Sequence, residues 1–286
     1  MSPLALALIL VAAVIHASWN LLVKRVDGGP AFVWLFGTVS AVIYAPLAVA
    51  AFLLARPHLG ATQWAFMLGS GTLQIVYFLL LQRGYRVGDL SVVYPLARGT
   101  GPLLATVGAI ALLGERPGPV ALFGAALIIG GVFALTGGPR LFRDPSAHRG
   151  AIFGVLVGVV IATYTLWDAH AVSALAIPPL VLNWAQEICL ALALAPLAAG
   201  QRDAVRHLWA RHRGSTLAVG ALSPLAYILV LTALRFTPVS YVAPAREISI
   251  LIGTFMGARL LSEGELKRRL PAAGVMVVGI LVLAFG

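Results

Sequence analysis

Arg86–Glu115 reads RVGDLSVVYPLARGTGPLLATVGAIALLGE, and Arg235–Glu263 reads RFTPVSYVAPAREISILIGTFMGARLLSE. The two stretches are near-copies. Ser91 and Pro95 match Ser240 and Pro244 at an offset of 149, while Arg98 and Glu115 match Arg246 and Glu263 at an offset of 148. A one-residue gap between Pro and Arg reconciles the registers. In each copy an Arg lies inside an apolar run just after a Pro, with a Glu 17 residues downstream. A duplicated apolar segment carrying a buried cation suits a chain built from two related halves around one site.

Composition decides the solvent. Hydrophobic residues make up 60% of the 286-residue chain, charged residues only 10%, and the mean hydropathy is +0.96; a soluble domain carries roughly 25% charged residues. Ten apolar stretches lie near residues 3–22, 31–54, 63–82, 90–113, 119–137, 150–169, 178–198, 214–234, 239–261 and 270–286. Each is about long enough to cross a ~30 Å hydrocarbon core. Backbone groups in lipid need internal partners, so each stretch is expected to be a helix; the sustained alternation of a barrel is absent. The expectation is an all-α membrane protein of ten transmembrane helices. Connections are short, with no room for a soluble domain. The single Cys189 falls in the seventh stretch and excludes an intrachain disulfide. The first stretch lacks the preceding basic residues of a signal peptide, and Ala17–Asn20 aligns loosely with Ala162–Thr165, so it counts as the first helix.

Gly137–Arg149, GGPRLFRDPSAHR, is the most linker-like segment and divides the chain into residues 1–140 and 148–286, five helices each. Because five is odd, the second half must be upside down relative to the first. The expected architecture is two inverted five-helix repeats with a site near the midplane between them. Fifteen of the 20 Lys and Arg residues fall on the side of the odd-to-even connections, three on the other side, and Arg98 and Arg246 within helices. This asymmetry places the basic side in the cytoplasm and both termini outside. The net charge of +10 is spread over five short connections and does not form a nucleic-acid surface.

Polar residues inside the apolar stretches are the candidates for chemistry. His16, Trp19 and Asn20 share a helix face, as do Tyr164, Trp167 and Asp168. Gln74 and Tyr77, Tyr94 and Arg98, Asn183, Trp184 and Glu187, Tyr227, and Arg246 with Glu247 complete the set. A charge at the bilayer centre costs roughly 2.5–3.5 kcal/mol on insertion scales, so the four charged residues of this set beside Asp168 demand a role. Arg98 and Arg246 are placed about 12 and 11 Å deep from opposite faces by a rise of 1.5 Å per residue. They are expected to face a central cavity and at least one to bind a carboxylate. Glu187 is the expected proton carrier, with His16 as alternate and Trp184 shielding it. The competing expectation is a set of fixed ion pairs between the two Arg and Glu187 and Glu247. Glu247 directly follows Arg246, so the two share a face only if the helix is unwound near Pro244; an ordinary kink at Pro95 and Pro244 is expected instead. Glu115 and Glu263 are expected to pair with nearby bases such as Arg116 or Arg259. Gly150, Gly154 and Gly158, and Gly253 with Gly257, are spaced for close helix packing.

YPLARGTGPLL with its closing LLGE, the matching VAPARE and LLSE, the HASWN of the first stretch and ten helices in two fives resemble the drug/metabolite transporter superfamily, EamA type. The resemblance covers nearly the whole chain. It implies a secondary transporter, often an exporter of amino acids or other small metabolites, and it implies cytoplasmic termini, opposite to the charge count.

The expected function is therefore secondary transport, as an exporter, of a small polar metabolite such as an amino acid or other carboxylate by alternating access, with protons as the candidate coupling ion. The Arg-rich, Ala- and Gly-rich composition suggests a GC-rich bacterium and its inner membrane, with the protein a multi-pass monomer or homodimer. No catalytic set, metal site or cofactor motif is present; the alternative is a membrane-embedded enzyme acting on a lipid or isoprenoid phosphate through Arg98 and Glu187.

Overall fold

The computed structural model describes residues 1–26, 28–87, 90–136, 148–260 and 266–285. The linker 137–147 and Glu263 lie outside the described residues. Eleven helices follow in order: α1 (Pro3–Val26), α2 (Gly29–Ala55), α3 (Ala61–Val87), α4 (Leu90–Leu112), α5 (Pro119–Thr136), α6 (His148–Ser173), α7 (Pro179–Gly200), α8 (Arg202–Leu234), α9 (Val239–Ala245), α10 (Ile248–Leu260) and α11 (Leu266–Phe285). No strand occurs among the described residues. Proline sets several starts, where its missing N–H is no loss: Pro30 opens α2, Pro119 opens α5, and Pro179 opens α7. Arg56, in the left-handed region with φ 42°, ends α2 by donating its N–H to Phe52.

Helices α1, α2, α3, α6, α7 and α8 are long and apolar enough to cross a membrane, and α5 and α11 hold shorter apolar runs. Large apolar side chains project outward around the bundle, Leu54, Leu112, Leu192 and Val42 among them. Such a surface is far beyond what a soluble monomer exposes, and it suits lipid.

Two expectations are corrected. Arg202–His212, expected as a connection, is helical: α8 begins there and bends at His212 (φ −126°, ψ 24°) before running on to Leu234. The ninth apolar stretch is not one kinked helix but two helices, α9 and α10, separated at Arg246 and Glu247. Pro244 offers no N–H, and the ladder there tightens: the N–H groups of Glu247, Ser249 and Ile250 bond to carbonyls three residues back, on Pro244, Arg246 and Glu247, in 3₁₀ fashion. The equivalent α4 runs unbroken through Pro95 and Arg98.

The halves pack reciprocally. The Trp34 indole donates to the Ala191 carbonyl (3.1 Å), and the Trp184 indole donates to the Ala41 carbonyl (2.8 Å). Both Trp34 with Trp184 and Ala41 with Ala191 are related by an offset of 150, as are Pro46 and Pro196. These contacts make α2 and α7 antiparallel. Helices α5 and α11 are also antiparallel: Gly124 lies against Leu283, and Gly131 against Met276 and Ala272. A Cβ on Gly124 would stand 2.6 Å from the Leu283 nitrogen, so only glycine permits this approach. Other neighbours exchange under the same relation, α1 with α8 for α6 with α3, and α4 with α6 for α10 with α1. Gly154 and Gly158 seat α6 against Leu96 and Thr100 of α4, as their spacing predicts.

Candidate functional site: a broken helix between two repeats

The break between α9 and α10 lets consecutive residues point into one region. Arg98 Nε lies 3.0 Å from Glu247 Oε2, close enough for an ion pair but without the angle of a hydrogen bond. The far end of the guanidinium donates to Ser249 Oγ at 3.3 Å. The side chains are 13% and 4% exposed. Arg246 turns instead toward α8, its guanidinium 5.4 Å from the centre of the Tyr227 ring. Such a stacked cation gains about 0.5–2 kcal/mol. No carboxylate stands within ion-pair distance of Arg246 among the described residues. The two Arg, with Gly101, Ile161, Tyr164 and Glu247, enclose a cavity of about 10 Å³, room for about one water. Tyr94, one turn from Arg98 on α4, is 36% exposed.

A second polar cluster adjoins the first. Asp168 is fully buried on α6. Its Oδ1 accepts from Ser70 of α3, and its Oδ2 accepts from Gln186 of α7 (2.9 Å) and Tyr227 of α8 (2.6 Å). Asn183 donates to Gln186 Oε1 at 3.2 Å. Four helices are tied to one carboxylate, and every donor is neutral. Tyr227 belongs to both clusters: its hydroxyl holds Asp168 and its ring carries Arg246. Tyr164 links it by edge-on contacts to Tyr77, with centroids 6.3 Å from Tyr227 and 6.0 Å from Tyr77. His16 packs edge-on against Trp19 at 4.9 Å and lies within the field of both Arg98 and Arg246.

Other residues of the expected set stand apart. Glu187 lies at the α2–α7 seam, with Oε2 in ordinary contact range of the space a Cβ on Gly37 would fill and with no hydrogen-bond partner. It is not paired with either Arg; Glu247 alone provides that partner, because α7 presents Glu187 toward α2. Trp184 holds the Ala41 carbonyl of α2 rather than acting as a dedicated shield. Asn20 is exposed and donates to the His16 carbonyl of its own helix. Trp167 stacks on Phe66 and donates to its carbonyl, away from the Arg pair. Gln74 is half-buried on α3, on the turn between Ser70 and Tyr77.

Sequence reasoning passed over Ser70, Gln186 and Ser249. Gln186 carries a readable signal, since an amide in an apolar helix three residues from Asn183 needs a partner; serines are too common in such helices to stand out. Glu115 is also corrected. Its carboxylate accepts the N–H groups of Val239 (2.7 Å) and Ser240 (2.9 Å) at the start of α9, rather than pairing with Arg116. It thereby ties the end of α4 to the other repeat. The Arg259 side chain lies outside the described residues, as does Glu263.

The profile of the EamA-like transporter family matches residues 3–137 and 148–285, once per half. The chain belongs to this family. EamA-like proteins are membrane transporters, so this multi-pass chain is a transporter-like membrane protein, and the enzyme alternative gains no support. A solved crystal structure superposes on this EamA-like protein with a TM-score of 0.73 at 16% identity, over 98% of this chain and 97% of that one; at that identity the likeness is one of fold.

Proposed function

We propose that this EamA-like protein is a secondary transporter that moves a small carboxylate-bearing metabolite, an amino acid or similar, out across a bacterial inner membrane. Transport runs by alternating access between two inverted five-helix repeats, residues 1–140 and 148–286, that together supply ten spans, with α9 and α10 forming the ninth. The observation that carries the reading is the meeting of Arg98, Arg246 and Glu247 at the break in the ninth span. Arg246 has no carboxylate partner there, and Arg98 holds its own without a formed hydrogen bond. A planar guanidinium in that state can take a substrate carboxylate by its fork. The antiparallel, reciprocal packing of α2 with α7 and of α5 with α11 supports inversion, because a two-fold axis along the helices would leave such pairs parallel.

Proteoliposomes holding the purified protein should exchange labelled substrate for at least one amino acid or small carboxylate in a metabolite panel. The corresponding amine, lacking the carboxylate, should not exchange. Equal exchange of acid and amine would overturn the reading.

Glu115 acts as the closure on one face in this reading. The site has room for about one water, and the two Glu115 bonds hold the start of α9 against the end of α4 beside it. Glu115→Ala should speed labelling of Thr237→Cys by a thiol reagent at least about fivefold, in a Cys189→Ala background, because charge-assisted bonds to the α9 start are the strong ones lost. Unchanged labelling removes the latch.

The charge count places both termini in the periplasm. A reporter that matures only outside the cytoplasm, fused after Gly286, should be active. A silent one, with an active cytoplasmic counterpart, reverses the orientation and leaves the repeats intact.

A further inference from the structure

Outside the central site, an open groove lies where α2, α7 and the start of α8 meet. A cavity of about 260 Å³ is lined by Trp34, Ala195, Ala198 and Ala199 below and by Arg202 and Arg206 at its rim. Its two walls differ in kind. The floor is small and apolar, because α7 places alanine at three positions on one side of its last turns, and Trp34 is held across the groove's end by its bond to Ala191. The rim is cationic: Arg202 and Arg206 are one turn apart on α8 and both are exposed. Neither pairs with a carboxylate among the described residues.

The segment carrying these arginines is amphipathic. Between Arg202 and the bend at His212, Leu208 packs inward on Phe32 and Leu35. Val205 lies against the same cluster, while Arg202, Arg206, His207, Trp209 and Arg211 face out. An apolar inner face with Trp and Arg outside is the pattern of a helix lying at the headgroup level. It stands on the basic side of the protein, which faces the anionic leaflet surface under the charge count.

We propose that this groove binds one anionic phospholipid, its phosphate held between Arg202 and Arg206 and one acyl chain laid over Ala195, Ala198 and Ala199 against Trp34. Charge complementarity selects the occupant: a zwitterionic lipid brings a choline cation to a rim that already holds two cations, whereas phosphatidylglycerol brings none. The volume suits a stretch of acyl chain, and the alanines leave it space where larger side chains would fill the groove. The lipid would lie across the junction of α2 and α7 with α8, which joins the two halves.

Native mass spectrometry of the full-length protein released from micelles tests this, with phosphatidylglycerol and phosphatidylcholine of identical chains added at equal concentration. Phosphatidylglycerol should be retained at least about tenfold more. Arg202→Gln with Arg206→Gln should lower its retention to the phosphatidylcholine level, and Arg211→Gln with Arg213→Gln, off the groove, should not. Ala199→Trp, at an exposed position, should fill the groove and lower retention while leaving the thermal midpoint in place. Glycerol phosphate, which has the charge and no chain, should fail to displace the lipid at millimolar concentration. Equal retention of the two lipids, retention unchanged in the Arg202 and Arg206 double variant, or displacement by glycerol phosphate would each overturn the proposal, the last by making the site one for free phosphate.

Discussion

Arg98→Ala is expected to abolish transport and to unsettle the fold, and the two losses should be separable. Glu247 is 3% exposed and, among the described residues, its ion-pair partner is Arg98 at 3.0 Å, with Arg246 adding a weaker field. Removing the cation leaves a buried carboxylate alone, at a cost of about 3–5 kcal/mol. The thermal midpoint of the purified protein should fall by several degrees. Adding Glu247→Ala should recover most of that fall, because both charges are then gone. Transport should not return in the double variant, since the fork proposed to take the substrate is missing. Arg98→Lys should keep the pair and the midpoint but raise KM at least about tenfold, because a point charge cannot bind a carboxylate bidentately. Arg246→Lys should behave likewise with less effect on stability, as Arg246 leans on the Tyr227 ring rather than on an acid. Wild-type KM in both Lys variants would remove specific anion recognition from the mechanism, and a stable, inactive Arg98→Ala protein would show that Glu247 does not depend on the pair.

The extent to which this was readable beforehand follows from what each residue needs. The apolar stretches needed only lipid and their own hydrogen bonds, so their positions were legible from hydropathy. The copy of Arg98 at Arg246 was legible because both retained Pro, Arg and the downstream Glu. The α2–α7 repeat was not read, although Trp34 and Trp184, Ala41 and Ala191, and Pro46 and Pro196 all recur at 150. The surrounding Ala, Leu and Val recur everywhere in such a chain, so the match gains meaning only when each indole is seen bonding to the other's helix. Proline alone does not predict the break at Arg246 and Glu247: an ordinary kink is the expectation at Pro95 and Pro244 alike, and α4 does run on through Pro95. What differs is downstream: Glu247 and Ser249 turn toward Arg98, whereas the matching positions after Arg98 are Gly99 and Gly101. The start of α8 was missed for its charge, since RDAVRHLWARH is too polar for a span and was read as a loop, though its apolar Val205 and Leu208 are three apart. The partner of Glu187 was misassigned because sequence spacing gives depth along a helix and not which neighbour the helix faces.

That misassignment sharpens the account of coupling. Two candidate acids lie within the apolar bundle without an ion pair to Arg98 or Arg246, and their surroundings differ in kind. Asp168 has both oxygens engaged, by Ser70, Gln186 and Tyr227. Adding a proton there would break at least one bond and release Tyr227 from beneath Arg246. Glu187 has an oxygen with no donor, at the seam where Gly37 leaves room and where α2 and α7 cross. A proton can be added to that oxygen without breaking any hydrogen bond, and the seam is one of the places where the two repeats meet. The hypothesis is that Glu187 carries the coupling proton and senses the substrate through movement of α7, not through direct exchange with Arg98. In proteoliposomes, Glu187→Gln should lose pH-driven flux at least about tenfold while substrate counterflow stays within about twofold of wild type. Asp168→Asn should lose both, because a neutral amide cannot accept all three donors and the support under Arg246 goes with it. If Glu187→Gln loses both activities, the residue is part of the scaffold. If it keeps its pH-driven flux, the proton travels elsewhere, and His16, within the field of both arginines, becomes the next group to test.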